Sequence, residues 1–154
     1  SVWYEWVINW RAIWYLYEPV DGAQRGVLLI GNPFSMLAGL PALAWCLWAG
    51  IRKGRTDTLA FALLYVATLG LWLVSGKPIQ FYYHYLLPGS FLMACLALAL
   101  DDIWARGGKW RWGPGLALAL AAGMFAWFYP IISAAKLHGG RNSFVEWMWL
   151  DSWR

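Results

Sequence analysis

The sequence predicts an all-α, polytopic membrane protein with four transmembrane helices. Four stretches without Asp, Glu, Lys or Arg predict it, each 19 to 26 residues long: residues 26–51, 58–76, 78–100 and 112–135. About 20 apolar residues in a helix cross the hydrocarbon core of a bilayer, where backbone groups must be paired internally. The composition agrees, since 61% of the residues are hydrophobic and only 13% are charged. We expect a single membrane domain over residues 1–154.

The segment before the first span, residues 1–25, is rich in tryptophan. Trp3, Trp6, Trp10 and Trp14 recur at spacings of three and four residues, which is the period of a helix. A helix with an aromatic face and a polar face lies in the membrane interface instead of crossing it. The segment is therefore predicted to form an interfacial amphipathic helix on the outer side.

The spans carry helix signals of their own. Asn32 followed by Pro33 is typical of a helix start, with a capping side chain and a proline at the first helical position. Gly115, Ala119 and Gly123 lie on one face of the fourth span, which predicts close packing against a neighbouring span. A homodimer interface is the alternative for that face.

The tail, residues 136–154, is also expected to lie at the outer interface. Ser143 and Glu146 form the S-x-x-E pattern of a capping box, and apolar residues follow them. This pattern predicts a short interfacial helix that mirrors the N-terminal one.

Orientation is predicted from the basic residues, because cytoplasmic loops are enriched in Lys and Arg. Two short loops contain six of them: Arg52, Lys53, Arg55, Arg106, Lys109 and Arg111. Both chain ends and the loop around Lys77 are then on the outer side. Compact loops without a glycosylation sequon favour a bacterial inner membrane, with both termini in the periplasm.

Several functional classes find no support in the sequence. There is no basic stripe or RNA-binding signature, so no nucleic-acid partner is expected. Cys46 and Cys95 lie inside spans without the spacing of metal ligands, and we expect neither a metal nor a cofactor. The Asp101–Asp102 pair is interpreted as a solvated helix end. No catalytic motif of a known hydrolase or kinase class occurs.

His84 is the ionisable residue that stands out, because it lies near the outer end of the third span with Lys77 shortly before it. An ionisable side chain at membrane depth points to a functional site. The alternative is an interfacial histidine that is hydrogen-bonded among the neighbouring tyrosines. The sequence leaves both open.

The motifs, taken in order, resemble the C-terminal four-helix region of the protein O-mannosyltransferases. They are Trp3-Tyr4-Glu5-Trp6 with Arg11 and Trp14-Tyr15, then Gly31-Asn32-Pro33, then His84-Tyr85-Leu86-Leu87-Pro88, and finally Trp153-Arg154. Enzymes of this family transfer mannose from a polyprenyl- or dolichyl-phosphate carrier to Ser or Thr of secreted proteins. The resemblance implies contact with membrane lipids and with polyprenyl-phosphate-mannose.

The family also implies what this sequence lacks. Its catalytic acidic residues lie in an outer loop of the N-terminal half, and no stretch here corresponds to that half. We therefore assign no catalytic residue and do not expect activity from this chain alone. Arg11, Lys77, His84 and Tyr85 are the candidates for binding the lipid phosphate, with the missing half or other membrane subunits as partners. The alternative function is a non-catalytic accessory subunit of a larger membrane complex.

Overall fold

The computed structural model, which describes residues 1–154, begins with a short helix and a β-hairpin. These elements are α1 (Trp3–Val7), β1 (Ile13–Val20) and β2 (Ala23–Leu29), and the two strands pair antiparallel. Asp21 and Gly22 form the two-residue turn between the strands, with φ of 51° and 74°. Positive φ at both positions is the geometry of a type I′ turn, whose twist matches that of the strands.

The predicted N-terminal interfacial helix is therefore wrong beyond Val7. Trp3 and Trp6 lie on α1, but Trp14 lies on β1, where it pairs with Leu28. The tryptophan spacing fits a helical period along residues that form two different elements. The Asp21-Gly22 turn decides the outcome, because it favours a hairpin over a continuous helix.

Four helices follow that are long and apolar enough to cross a membrane, and they confirm the predicted fold class. They are α2 (Pro33–Lys53), α3 (Thr56–Val74), α4 (Leu86–Ala105) and α5 (Trp112–Ile132). The mean hydropathy of their apolar windows is 1.6 to 1.8. The 3-10 turns Tyr82–Tyr85 and Gly108–Arg111 lead into α4 and α5. The first helix begins at Pro33 instead of residue 26, because the chain up to Leu29 belongs to β2.

Asn32 caps α2 as the sequence predicts. Its side-chain oxygen accepts a hydrogen bond from the Ser35 N–H at 3.2 Å, and Pro33 occupies the first helical position. Its amide nitrogen donates to the carbonyl of Ala121 at 2.9 Å. One side chain thus begins α2 and fixes it against α5.

Helices α2, α3 and α4 pack closely on one another, whereas α5 contacts mainly β2 and α4. Cys46, Ala62 and Cys95 are fully buried where the first three of these helices meet. A methyl group added at Gly115 or Gly123 would meet no atom within 4 Å. The prediction that this face of α5 packs against another span is therefore wrong within this chain, and the face points outward.

The tail contains single 3-10 turns instead of a capped helix: Gly140–Asn142, Val145–Trp147 and Asp151–Trp153. The Ser143 Oγ lies 3.3 Å from the Tyr17 hydroxyl and caps nothing. The predicted tail helix is thus wrong, because Ser143 is engaged by the hairpin. Residues 1–31 and 133–154 together form a layer that we call the roof, where α2 begins. Its core contains Leu28, Leu137, Met148 and Trp153, and the end of α5 adds Phe128 and Ile131.

We call the opposite end of the helices, residues 52–57 and 101–112, the basic end. Arg55 forms ion pairs with Asp57 at 2.8 Å and with Asp102 at 3.4 Å, and Arg106 also pairs with Asp102 at 3.4 Å. Asp102 is therefore a half-buried helix-end carboxylate that joins two loops, whereas its neighbour Asp101 is exposed, as expected of a solvated helix end.

Candidate functional site

His84 lies flat against Trp72 where the roof meets the helices. The two rings are stacked with centroids 3.9 Å apart and planes 19° from parallel. Trp6 of α1 approaches both, at 6.1 Å from Trp72 and 6.0 Å from His84. The imidazole makes no hydrogen bond to another residue, so the alternative in which tyrosine hydroxyls hold it is wrong. Aromatic contacts orient the ring and leave both nitrogens free.

The loop between α3 and α4 brings these rings together. Gln80 donates its side-chain amide to the Trp72 carbonyl at 3.2 Å, which satisfies a free carbonyl in the last turn of α3. The chain then enters the 3-10 turn Tyr82–Tyr85, which contains His84. Gln80 thus folds the loop back so that His84 reaches the ring of Trp72.

Lys77 lies on the same tryptophan. Its Nζ is 5.9 Å from the centre of the Trp72 ring, within cation–π range. Lys77 is exposed and has no carboxylate partner. A cation and an imidazole with free nitrogens therefore share one aromatic support, which is an arrangement suited to an anion.

A groove of about 750 Å³ runs beside this pair, between the end of α3 and the start of α4. Its apolar walls include Leu71, Val74, Leu86 and Leu87, and His84 lies at its edge. A second, smaller groove of about 290 Å³ lies between the starts of α2 and α4. The larger groove therefore combines the His84 imidazole with apolar walls from α3 and α4.

Tyr85 lies in the core and is not among the residues that line the larger groove. It is 2% exposed, and its hydroxyl is 2.8 Å from the hydroxyl of Tyr65. Tyr82, in the same turn, donates to the Asn9 side-chain oxygen at 2.8 Å. The structure thus places Tyr85 as an anchor of the turn that presents His84.

Arg11 is held in the roof by Glu5. Its Nε donates to the Glu5 carboxylate at 3.2 Å, and the other carboxylate oxygen accepts from the Val2 N–H at 2.9 Å. Burial raises the pKa of Glu5, but these two donors outweigh it and hold the pKa below its ordinary value. Arg11 does not line the groove, and it is connected to His84 only through α1, which carries both Glu5 and Trp6.

Sequence reasoning missed the side chains that build this site, above all Trp72, Gln80 and Asn9. Trp72 lies inside the second uncharged span, and nothing in its spacing links it to His84. Local composition was the available signal for Gln80, because the loop between two apolar spans carries this polar residue close to a lysine and a histidine. No group of three or more His, Cys, Asp or Glu side chains is arranged to hold a metal.

Comparison with known proteins supports one family. The chain is 26% identical to the polyprenol-phosphate-mannose–protein mannosyltransferase of Mycolicibacterium smegmatis and 28% identical to that of Mycobacterium tuberculosis. The Corynebacterium glutamicum protein of the same name is 23% identical. Each match covers 97% of this chain and 31% of the relative.

No family model and no solved structure matches this chain. It spans about a third of the length of the curated relatives. With its four apolar helices, it is an integral membrane protein in contact with lipid. The resemblance to the protein O-mannosyltransferases, predicted from its motifs, is confirmed along nearly its whole length.

Proposed function

We propose that this chain is the C-terminal membrane region of a protein mannosyltransferase that takes mannose from a polyprenyl phosphate. Lys77 and His84 bind the phosphate of that carrier. The observation that carries the proposal is the stack of His84 on Trp72 beside Lys77, at the edge of an apolar groove. The names of the relatives support the class of donor.

The chemistry of the carrier fits the two parts of this site. Its mannosyl phosphate has an anionic oxygen that accepts hydrogen bonds from an ammonium and an imidazole N–H, and such charge-assisted bonds are strong where water is scarce. Its isoprenoid chain is apolar and suits the groove walls Leu71, Val74, Leu86 and Leu87. Donor phosphate and lipid tail are thus bound by adjacent parts of one site.

In this proposal the other predicted residues, Arg11 and Tyr85, do not contact the phosphate but position the elements that carry the site. Arg11 positions α1 through Glu5, and α1 in turn supplies Trp6 to the aromatic support of His84. Tyr85 positions the 3-10 turn through Tyr65. The groups that act on the acceptor hydroxyl belong to a catalytic half outside this sequence. Both termini and Lys77 then face the periplasm of a bacterial inner membrane.

The test is photocrosslinking of the purified chain in nanodiscs with a photoreactive polyprenyl-phosphate-mannose. We expect Lys77→Ala or His84→Ala to lower labelling about tenfold each, because each removes a charge-assisted hydrogen bond. Lys136→Ala is the matched control, since it removes an exposed roof cation away from the groove. Labelling that persists at full strength in both variants would exclude the site. A wild-type chain that takes no label but co-purifies with another membrane protein would favour the accessory subunit.

A further inference from the structure

Positive charge is concentrated at the basic end of the helices. Six of the twelve Lys and Arg residues lie there, with three of the eight Asp and Glu residues. Arg55 and Arg106 are paired with Asp57 and Asp102. The cations that have no carboxylate partner are Arg52, Lys53, Lys109 and Arg111. This end therefore presents four exposed unpaired cations against one exposed unpaired carboxylate, Asp101, and its surface is net positive.

Each of four cations at this end lies over a tryptophan ring. The distances to the ring centres are 4.9 Å for Lys53 on Trp48, 5.4 Å for Arg55 on Trp45, 5.2 Å for Arg106 on Trp110 and 5.0 Å for Arg111 on Trp104. Indole rings prefer the level of lipid headgroups, and long cationic side chains extend to the same level. The charges are thus held at the depth of lipid phosphates.

An apolar slot of about 480 Å³ lies directly below Arg111, along α5. Trp104, Trp112 and Leu116 line it, with Gly115 and Ala119. A methyl group at Gly115 would meet nothing within 4 Å, so no part of this chain fills the slot. The Arg111 Nε donates to the Trp104 carbonyl at 3.5 Å, which leaves the terminal nitrogens of the guanidinium free to donate outward.

We propose that the basic end binds an anionic phospholipid, with Lys109 and Arg111 on its phosphate and one acyl chain in the slot over Gly115 and Ala119. The charge is complementary, and the slot continues from the cation toward the membrane interior as an acyl chain does. A soluble polyanion would leave the apolar slot empty. The inference depends neither on the proposed mannosyl carrier site nor on which leaflet this end faces.

Native mass spectrometry tests it on the chain released from nanodiscs made of equal parts phosphatidylglycerol and phosphatidylcholine. We expect the wild-type chain to retain phosphatidylglycerol in preference. The double variant Lys109→Gln/Arg111→Gln should reduce that preference by about fivefold or more, given the usual contribution of one basic residue near an anionic surface. Lys136→Gln/Arg141→Gln is the control, because it removes the same charge from the roof.

A second variant tests whether an acyl chain occupies the slot. A Cβ at Gly115 meets no atom within 4 Å, so we expect Gly115→Leu to extend into the slot. It should lower lipid retention while leaving the thermal unfolding midpoint unchanged or higher. Soluble glycerol phosphate should not displace the lipid if the acyl chain contributes. Equal retention of both lipids by the wild-type chain, or equal loss in the roof control, would overturn the inference. So would a change from dimer to monomer in Gly115→Leu, because a second copy would then occupy the slot.

Discussion

Asn9 joins three segments that are distant in sequence. Its side chain exchanges two hydrogen bonds with the backbone of Gly31, at 2.9 and 3.2 Å, and accepts a third from Tyr82 at 2.8 Å. Its carbonyl accepts from the Trp153 indole at 2.8 Å. It is 3% exposed and has a φ of 55°, a conformation that asparagine tolerates better than most residues. One buried amide therefore ties α1, the start of α2, the His84 turn and the tail.

Replacing Asn9 with Ala should destabilise the protein strongly. The change leaves the half-buried Gly31 amide and carbonyl and the buried Tyr82 hydroxyl without these partners, and a fully buried group of this kind costs about 1–3 kcal/mol. Alanine is also sterically disfavoured in the left-handed backbone conformation, whereas glycine in Asn9→Gly is not. Thermal unfolding in detergent should rank the variants with Asn9→Ala lowest, Asn9→Gly next, and the exposed Asn142→Ala near wild type. An Asn9→Ala midpoint equal to that of Asn142→Ala would contradict the role of this residue.

Protonation of Glu5 at acidic pH should lower the stability of the roof. Its carboxylate is bound by Val2 and Arg11, so its pKa is lower in the folded chain than in the unfolded chain. A group with a depressed folded pKa contributes stability above its unfolded pKa, about 4.3 for Glu, and loses it as pH falls through the folded value. The unfolding midpoint of the wild-type chain should therefore fall more steeply below that pH than that of Glu5→Gln. Glu18→Gln, at an exposed carboxylate, should follow the wild-type curve.

At the scale of elements, two glycines of the long helices should respond in opposite directions to the same substitution. A methyl group at Gly50 of α2 would lie 2.5 Å from the Leu59 Cβ and 3.0 Å from its Cα, where the backbone of α3 prevents relief. A methyl group at Gly70 of α3 would meet nothing within 4 Å. Gly50→Ala should cost about 1–3 kcal/mol through overpacking, while Gly70→Ala should gain up to about 1 kcal/mol from helix propensity. Equal unfolding midpoints in detergent for the two variants would show that α2 and α3 do not pack as described.

The long helices were predictable from sequence because an uncharged run of sufficient length is a local property that lipid converts directly into a helix. The hairpin was not, since the spacing of Trp3, Trp6, Trp10 and Trp14 fits a helix as well. The Asp21-Gly22 pair was the signal that favours two strands and a tight turn. The tail shows the same limit, because Ser143 meets Tyr17, 126 residues away in sequence, and no local pattern contains that contact.

The candidate site was predictable only in part for the same reason. His84 and Lys77 stand out locally as ionisable groups beside an apolar span. Their common support, Trp72, lies on the preceding helix and is brought to His84 by the fold of the loop through Gln80. Arg11 was grouped with them because of the family resemblance, yet in the structure its guanidinium is hydrogen-bonded to Glu5. Pairings across elements therefore decided which predicted residues share the groove.

The whole molecule has two chemically different ends. The roof contains the hairpin and the tail, and the His84 groove adjoins it. The basic residues of the roof are scattered among five carboxylates: Glu5, Glu18, Asp21, Glu146 and Asp151. The basic end has short loops and most of the net positive charge. Because short loops rich in Lys and Arg stay in the cytoplasm, this asymmetry predicts that the roof is translocated. The proposed carrier site and the proposed lipid site would then face opposite leaflets.

Single cysteines test that orientation directly, because the native thiols Cys46 and Cys95 are fully buried and give little background. Lys136→Cys places an exposed thiol in the roof, and Lys109→Cys places one at the basic end. An impermeant maleimide should label Lys136→Cys when it is added to bacterial cells whose outer membrane has been made permeable and whose inner membrane is intact. It should label Lys109→Cys only after the inner membrane is disrupted. Labelling in the reverse order would place the His84 groove in the cytoplasm, away from secreted acceptor proteins, and would remove the basis for a mannosyltransferase site there.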